Sequence, residues 1–255
     1  MHNRQALFIE NKPFLCYIGR KMKNNILLIG KDFLENEAFI AYCKGKEIPF
    51  VCTTKAQAKS EGKETVFEGT KSIIPWNRAS NLSSMNLIIR AETLLSSIDR
   101  VLLFFDYDHF TEEYSQLGKN HFQIIADELI ASYQYITENI LERFKEKKQG
   151  GFIFLLKEAV PLFRSSKSSV EINNPALYAA QEAFVAFAEM TAYRYSQKLE
   201  NSVVLARTSL KNDEKIASLL FSLLESDKLE KKLQKDATRW LLLQDQNEGA
   251  IRFFK

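Results

Sequence analysis

Tyr178 stands near the start of an alanine-rich helical run, Ala176-Leu177-Tyr178-Ala179-Ala180-Gln181-Glu182-Ala183-Phe184-Val185-Ala186. A phenol on a helix can pass a proton to or from a substrate oxygen when a neighbouring positive charge lowers its pKa. Residues four apart share a helix face, and here the fourth residue is Glu182. At ~5 Å and an effective dielectric of ~20 one charge is worth roughly 3 kcal/mol, so a carboxylate in place of an ammonium shifts the tyrosinate by up to about 6 kcal/mol. At about 1.4 kcal/mol per unit the phenol is then poised several pKa units in the wrong direction.

Two other groupings have chemical potential. Asp106, Asp108 and His109 lie close together, but a metal needs three or four convergent ligands, and no His and carboxylate pairing on one helix face is visible. They read as turn and helix-start residues. Asp32 and Glu35 have the spacing of a helix capping box, whose carboxylates occupy the free amides of a first turn. Those amides are the ones a phosphate would use.

These residues are set in a regular alternation. Short apolar runs at 25–29, 48–53, 100–105, 151–156 and 202–206 alternate with longer helical patterns, which predicts a parallel sheet covered by helices on both faces. Residues 65–67 and 73–76 are further strand candidates. Residues 119–147 carry Phe122, Ile125, Leu129, Tyr133, Ile136, Ile140 and Phe144 at spacings of three and four, an amphipathic helix. Residues 175–199 form a helix apolar nearly all round, buried on several sides. The tail predicts helices at 213–226 and 229–243 and a last strand at 250–254. Ahead of the sheet, two apolar stretches within 6–19 flank Asn11-Lys12-Pro13, giving a hairpin extension over residues 1–23 and a single domain over 24–255.

The 255 residues, 45% hydrophobic and 26% charged, suit one globular core. Thirty-five basic and 32 acidic residues are well mixed, leaving a net charge of +3 and no field suited to nucleic acid or a membrane surface. Cys16, Cys43 and Cys52 are odd in number and set among apolar residues, the usage of a reducing compartment, so a cytoplasmic location is expected. Glu10, Asn11 and Lys12 interrupt the apolar start too early for a signal peptide, and no run reaches the ~20 apolar residues of a membrane span.

The order of elements resembles the short-chain dehydrogenase/reductase family from about residue 24 onward. The likeness rests on Gly30 after the first strand, Asp99 opening the fourth, Gly150-Gly151 before the fifth, and Tyr178. It implies an α/β fold with a Rossmann-like doubly wound parallel sheet in three layers, α/β/α. It also implies an NAD(H) or NADP(H) site with Gly30 in the cofactor loop and Tyr178 as catalytic proton donor. A homodimer or homotetramer built through helices 119–147 and 175–199 is implied as well.

The departures from the family pattern are the more informative part. Where the family has Thr-Gly-x-x-x-Gly-x-Gly, this chain has Ile29-Gly30-Lys31-Asp32-Phe33-Leu34-Glu35-Asn36, so Leu34 and Asn36 put side chains where backbone should approach a pyrophosphate. The second strand ends in Thr54-Lys55 with no carboxylate for a ribose, and Lys55 would favour NADP(H) if any dinucleotide binds. Leu103-Phe104-Phe105-Asp106 replaces Asn-Asn-Ala-Gly, and the phenylalanines would fill the cofactor floor. Lys157-Glu158 stands in place of the catalytic serine, for which Ser165 or Ser166 could substitute by looping back. The expectation is a degenerate member that has lost nicotinamide-dependent catalysis and acts in binding, regulation or assembly. The alternative is an active NADP(H)-dependent oxidoreductase centred on Tyr178, with Lys157 or Lys167 supplying the missing charge.

Overall fold

A computed structural model describes residues 25–55, 65–67, 70–115, 121–158, 174–196, 202–225, 238–244 and 252–253. The expected amino-terminal hairpin, Ser165, Ser166, Lys167 and most of the 229–243 segment lie outside these residues.

The strands are β1 (Ile26–Ile29), β2 (Phe50–Lys55), β3 (Thr65–Phe67), β4 (Thr70–Trp76), β5 (Arg100–Asp106), β6 (Gly151–Lys157), β7 (Ser202–Thr208), β8 (Leu241–Leu243) and β9 (Arg252–Phe253). Among the described residues they form one sheet in the order β3-β4-β2-β1-β5-β6-β7-β8-β9. The seven strands from β4 to β8 in that order are mutually parallel. β3 and β9 close the two edges as antiparallel strands.

Period-two alternation sends neighbouring side chains to opposite faces. Leu27, Ile29, Val101, Leu103, Phe105, Phe152, Phe154 and Leu156 enter one core. Ile26, Leu28, Leu102, Phe104, Ile153 and Leu155 enter the other. Both faces are buried, which is why the central strands read as unbroken apolar runs.

Helices α2 (Asn81–Leu95), α5 (Ser132–Lys147) and α6 (Pro175–Ser196) cover the first face. α1 (Glu37–Gly45) and α7 (Asp213–Leu224) cover the second. Ser80 caps α2 by accepting from the Ser83 amide, and Asn212 caps α7 by accepting from Lys215. Asp99 accepts from the Asn25 amide at 3.1 Å and so anchors the entry of β1 beside β5. Gly150 ends the α5–β6 turn at φ +142°, with Phe144 filling the space a side chain would need. Among the described residues no helix is long and apolar enough to cross a membrane.

One expectation is refined here and one is corrected. The helix expected over 119–147 runs without a break from His121 to Lys147, as α4 (His121–Ile125), a π-helical stretch at Ala126–Ala131, and α5. Ile125, Leu129 and Tyr133 stay buried across the wider turn, so the hydrophobic spacing does not reveal it. Leu241–Leu243 is not helical but forms β8, paired with β7 from Ala206↔Leu241 to Thr208↔Leu243. The neighbouring strand supplies backbone partners, and the Thr208 hydroxyl donates to the Leu243 carbonyl at 2.9 Å.

Candidate functional site

Strand order reverses between β1 and β5, and the crevice at the carboxyl ends of such strands is where doubly wound sheets bind ligands. The residues after β1 begin with Gly30, at φ +126°, whose missing side chain lets the Phe104 carbonyl close in. Tyr133 donates to that same carbonyl at 2.7 Å. A 3-10 turn at Phe33–Asn36 then leads into α1.

The expected capping box does not form. Asp32 makes no capping bond, because its carboxylate is drawn 3.2 Å from the guanidinium of Arg78. Leu34 points to solvent, 79% exposed. Asn36 turns inward instead and donates to the Lys31 carbonyl at 2.7 Å, a bond within the loop.

Lys31 is buried, and its ammonium lies 2.7 Å from Asp106 and 2.6 Å from Asp213. Lys157, the last residue of β6, meets the same two carboxylates at 3.2 and 3.0 Å. Asp106 also accepts from the His109 amide and caps α3 (Tyr107–Glu113), as its expected role at a helix start requires. Burial pushes the Asp106 carboxyl up, but the ammonium groups of Lys31 and Lys157 and the His109 amide together outweigh this and hold it below the usual carboxylate range. Burial likewise disfavours the Lys157 cation, and the charges of Asp106 and Asp213 reverse the effect, raising its pKa.

A second knot adjoins the first. Arg78, 4% exposed in the segment after β4, donates to the Gly30 carbonyl at 2.9 Å and contacts Glu113 at 3.1 Å. Its guanidinium lies 5.5 Å from the centre of the Phe110 ring. Lys55 reaches Glu113 at 3.0 Å and Glu128 at 3.1 Å. Tyr114 donates to Glu128 at 2.6 Å, and Glu128 sits in the π-helical stretch. Lys31, Lys55, Arg78 and Lys157 thus face Asp32, Asp106, Glu113, Glu128 and Asp213, four cations against five carboxylates.

Phe104 and Phe105 fill opposite faces beneath this network. Phe104 packs on Phe39 with ring centres 5.3 Å apart, and Phe105 packs on Phe110 at 5.2 Å and Phe184 at 5.4 Å. Among the described residues no group of three or more His, Cys, Asp or Glu side chains is arranged to hold a metal.

Tyr178 lies half-buried in the first turn of α6, and its amide donates to the Asn174 carbonyl at 3.1 Å. Burial raises its pKa, and the charge and hydrogen bond of Glu182 raise it further. The ammonium of Lys157 is held by Asp106 and Asp213, and Glu158 pairs with Arg207.

Arg78, Glu113, Glu128 and Asp213 escaped the sequence reading. Lys31 and Asp106 carried one usable signal, since both follow strands that a doubly wound order places side by side.

The architecture is that of a doubly wound, Rossmann-like α/β protein. Neither a protein-family model nor a curated relative matches the sequence. Among solved structures, a short chain dehydrogenase from Bacillus anthracis is similar over 82% of this chain and 92% of its own, with TM-score 0.59 and 15% identity. The NADH-dependent enoyl-[acyl-carrier-protein] reductase of Aquifex aeolicus is similar over 86% and 94%, with TM-score 0.57 and 15% identity. FabI from Alistipes finegoldii is similar over 86% and 88%, with TM-score 0.58 and 15% identity. The chain is therefore short-chain dehydrogenase/reductase-like in fold.

Proposed function

We propose that this chain has kept the fold of the short-chain dehydrogenases and lost their nicotinamide-dependent catalysis, acting instead in binding, regulation or assembly. The observation that carries this reading is the ion network at the switch point, with its excess of one carboxylate. A pyrophosphate entering there would meet like charge, and one such encounter at ~5 Å costs roughly 3 kcal/mol. The raised pKa of Tyr178 supports the same reading, because a phenol beside Glu182 gives up its proton less readily.

No cofactor is expected, and NADP(H) is the form if any binds, with Gly30 in the loop and Lys55 near the ribose. Lys55 is engaged by Glu113 and Glu128, which weakens its claim on a phosphate. Titration of purified protein with NADPH and then NADH, followed by calorimetry or nicotinamide fluorescence, is expected to show no binding up to millimolar concentration. Micromolar binding would overturn the reading and restore the Tyr178-centred oxidoreductase.

A cytoplasmic setting belongs to this reading. It is supported by Cys43 and Cys52, buried free thiols whose pKa burial pushes up to about 12, so neither is poised to react.

Assembly as a homodimer or homotetramer through the 119–147 and 175–199 helices is the accompanying proposal. The outward face of α6 presents Ala179, Ala186, Met190 and Tyr193, and α4 adds Phe122 at 59% exposure. Ala186→Arg places a charge on that face while keeping helix propensity, and is expected to convert the oligomer to monomer in light-scattering measurements. A wild-type protein that is already monomeric at tens of micromolar sinks the assembly proposal.

A further inference from the structure

His109 carries a ring nitrogen, Nε2, that is buried and has no hydrogen-bond partner among the described residues. Buried polar atoms of this kind call for a reason. Nε2 lies 3.6 Å from Oε2 of Glu113, the oxygen that Arg78 contacts at 3.1 Å. The other oxygen of Glu113 takes Lys55 at 3.0 Å. One carboxylate therefore joins the end of β2 and the segment after β4 to α3, with the His109 Nε2 beside it.

We propose that His109 is a proton-operated latch: protonation makes Nε2 a charged donor that competes with Arg78 for Glu113 and loosens the Arg78 knot. The inference goes beyond the loss of catalysis and holds whether or not the crevice admits a dinucleotide. The charges facing His109 are Glu113 on its own helix, Asp106 at the end of β5, and Lys31 and Glu35 from the segment after β1.

Burial favours the neutral ring, and the carboxylates offset this only in part, so His109 titrates below its ordinary value of 6.5. A folded-state pKa below the unfolded one means that the folded chain binds the proton less readily. The neutral state's stability is then present above pH 6.5 and lost as pH falls through the folded midpoint.

The test is an NMR titration from pH 7.5 to 4.5 of protein labelled at histidine and arginine side chains, with His109→Gln assigning the ring among three histidines. That substitution gives up no hydrogen bond made through Nε2, so the fold is expected to survive. The Arg78 guanidinium signal should shift with the same midpoint as the His109 ring, and the shift should vanish in His109→Gln. Glu113→Gln, which keeps an acceptor without the charge, should lower the His109 midpoint and abolish the coupling. Titration of His109 that leaves Arg78 unmoved overturns the latch. So does an Arg78 shift that persists in His109→Gln, which would assign it to Asp32, whose carboxyl burial raises.

Discussion

Asp106→Asn is expected to lower the free energy of unfolding at neutral pH by about 3–5 kcal/mol, the usual loss when one partner of a buried ion pair is removed. The Asp106 side chain is 1% exposed, and its two partners Lys31 and Lys157 are 6% and 9% exposed. Without its charge both ammonium groups share only Asp213, which is 22% exposed and partly screened by water. Asn is nearly isosteric and caps a helix as well as Asp, so the bond from the His109 amide to α3 is retained and the loss reports charge. Because the folded-state pKa of Asp106 is depressed, its contribution is present above the ordinary 3.8 and disappears as pH falls through the folded value. Urea midpoints of wild type and variant should therefore differ widely at pH 7 and approach each other as pH falls below 3.8. Equal midpoints at pH 7 would show that the ion ring contributes nothing net.

The sheet was legible because both of its faces are buried. Runs such as Leu102-Leu103-Phe104-Phe105 need no alternation when each face has its own core, and their spacing along the chain gives the crossover order. The network above the sheet was not legible, because its bonds join residues far apart. Lys31 and Asp213 are 182 positions apart, and Arg78 and Asp32 are 46 apart. The capping box at Asp32 and Glu35 failed for the same reason, since a local motif describes which amides a carboxylate can reach and says nothing of a guanidinium arriving from the segment after β4. The π-helical stretch that bears Glu128 leaves no mark on an apolar stripe that it preserves. The tyrosine and glutamate pair was legible, being local: four residues on one helix fix both the neighbour and the sign of its effect.

The other large effect is expected at Gly30, where alanine should prevent folding or cost more than about 4 kcal/mol, in the range reserved for backbone strain and overpacking. A Cβ added there would lie 1.9 Å from the Phe104 carbonyl oxygen and 3.1 Å from the Tyr133 hydroxyl, at a backbone φ of +126° that L side chains rarely adopt. The obstacle is backbone of β5, held to β1 by the pairing Ile29↔Leu103, so no side chain can rotate out of the way. Gly30 is thus demanded by the packing of two strands, with or without a ligand, and its presence says nothing about a dinucleotide. The informative positions are those where only a pyrophosphate would demand glycine. There the chain has Leu34, which is exposed, and Asn36, which is tied to the Lys31 carbonyl. Leu34→Gly should accordingly leave the melting temperature within a few degrees of wild type, while Gly30→Ala should yield no cooperative transition in circular dichroism. A Gly30→Ala protein that melts like wild type would mean that β1 and β5 can separate here, and the glycine would again be available as evidence for a cofactor.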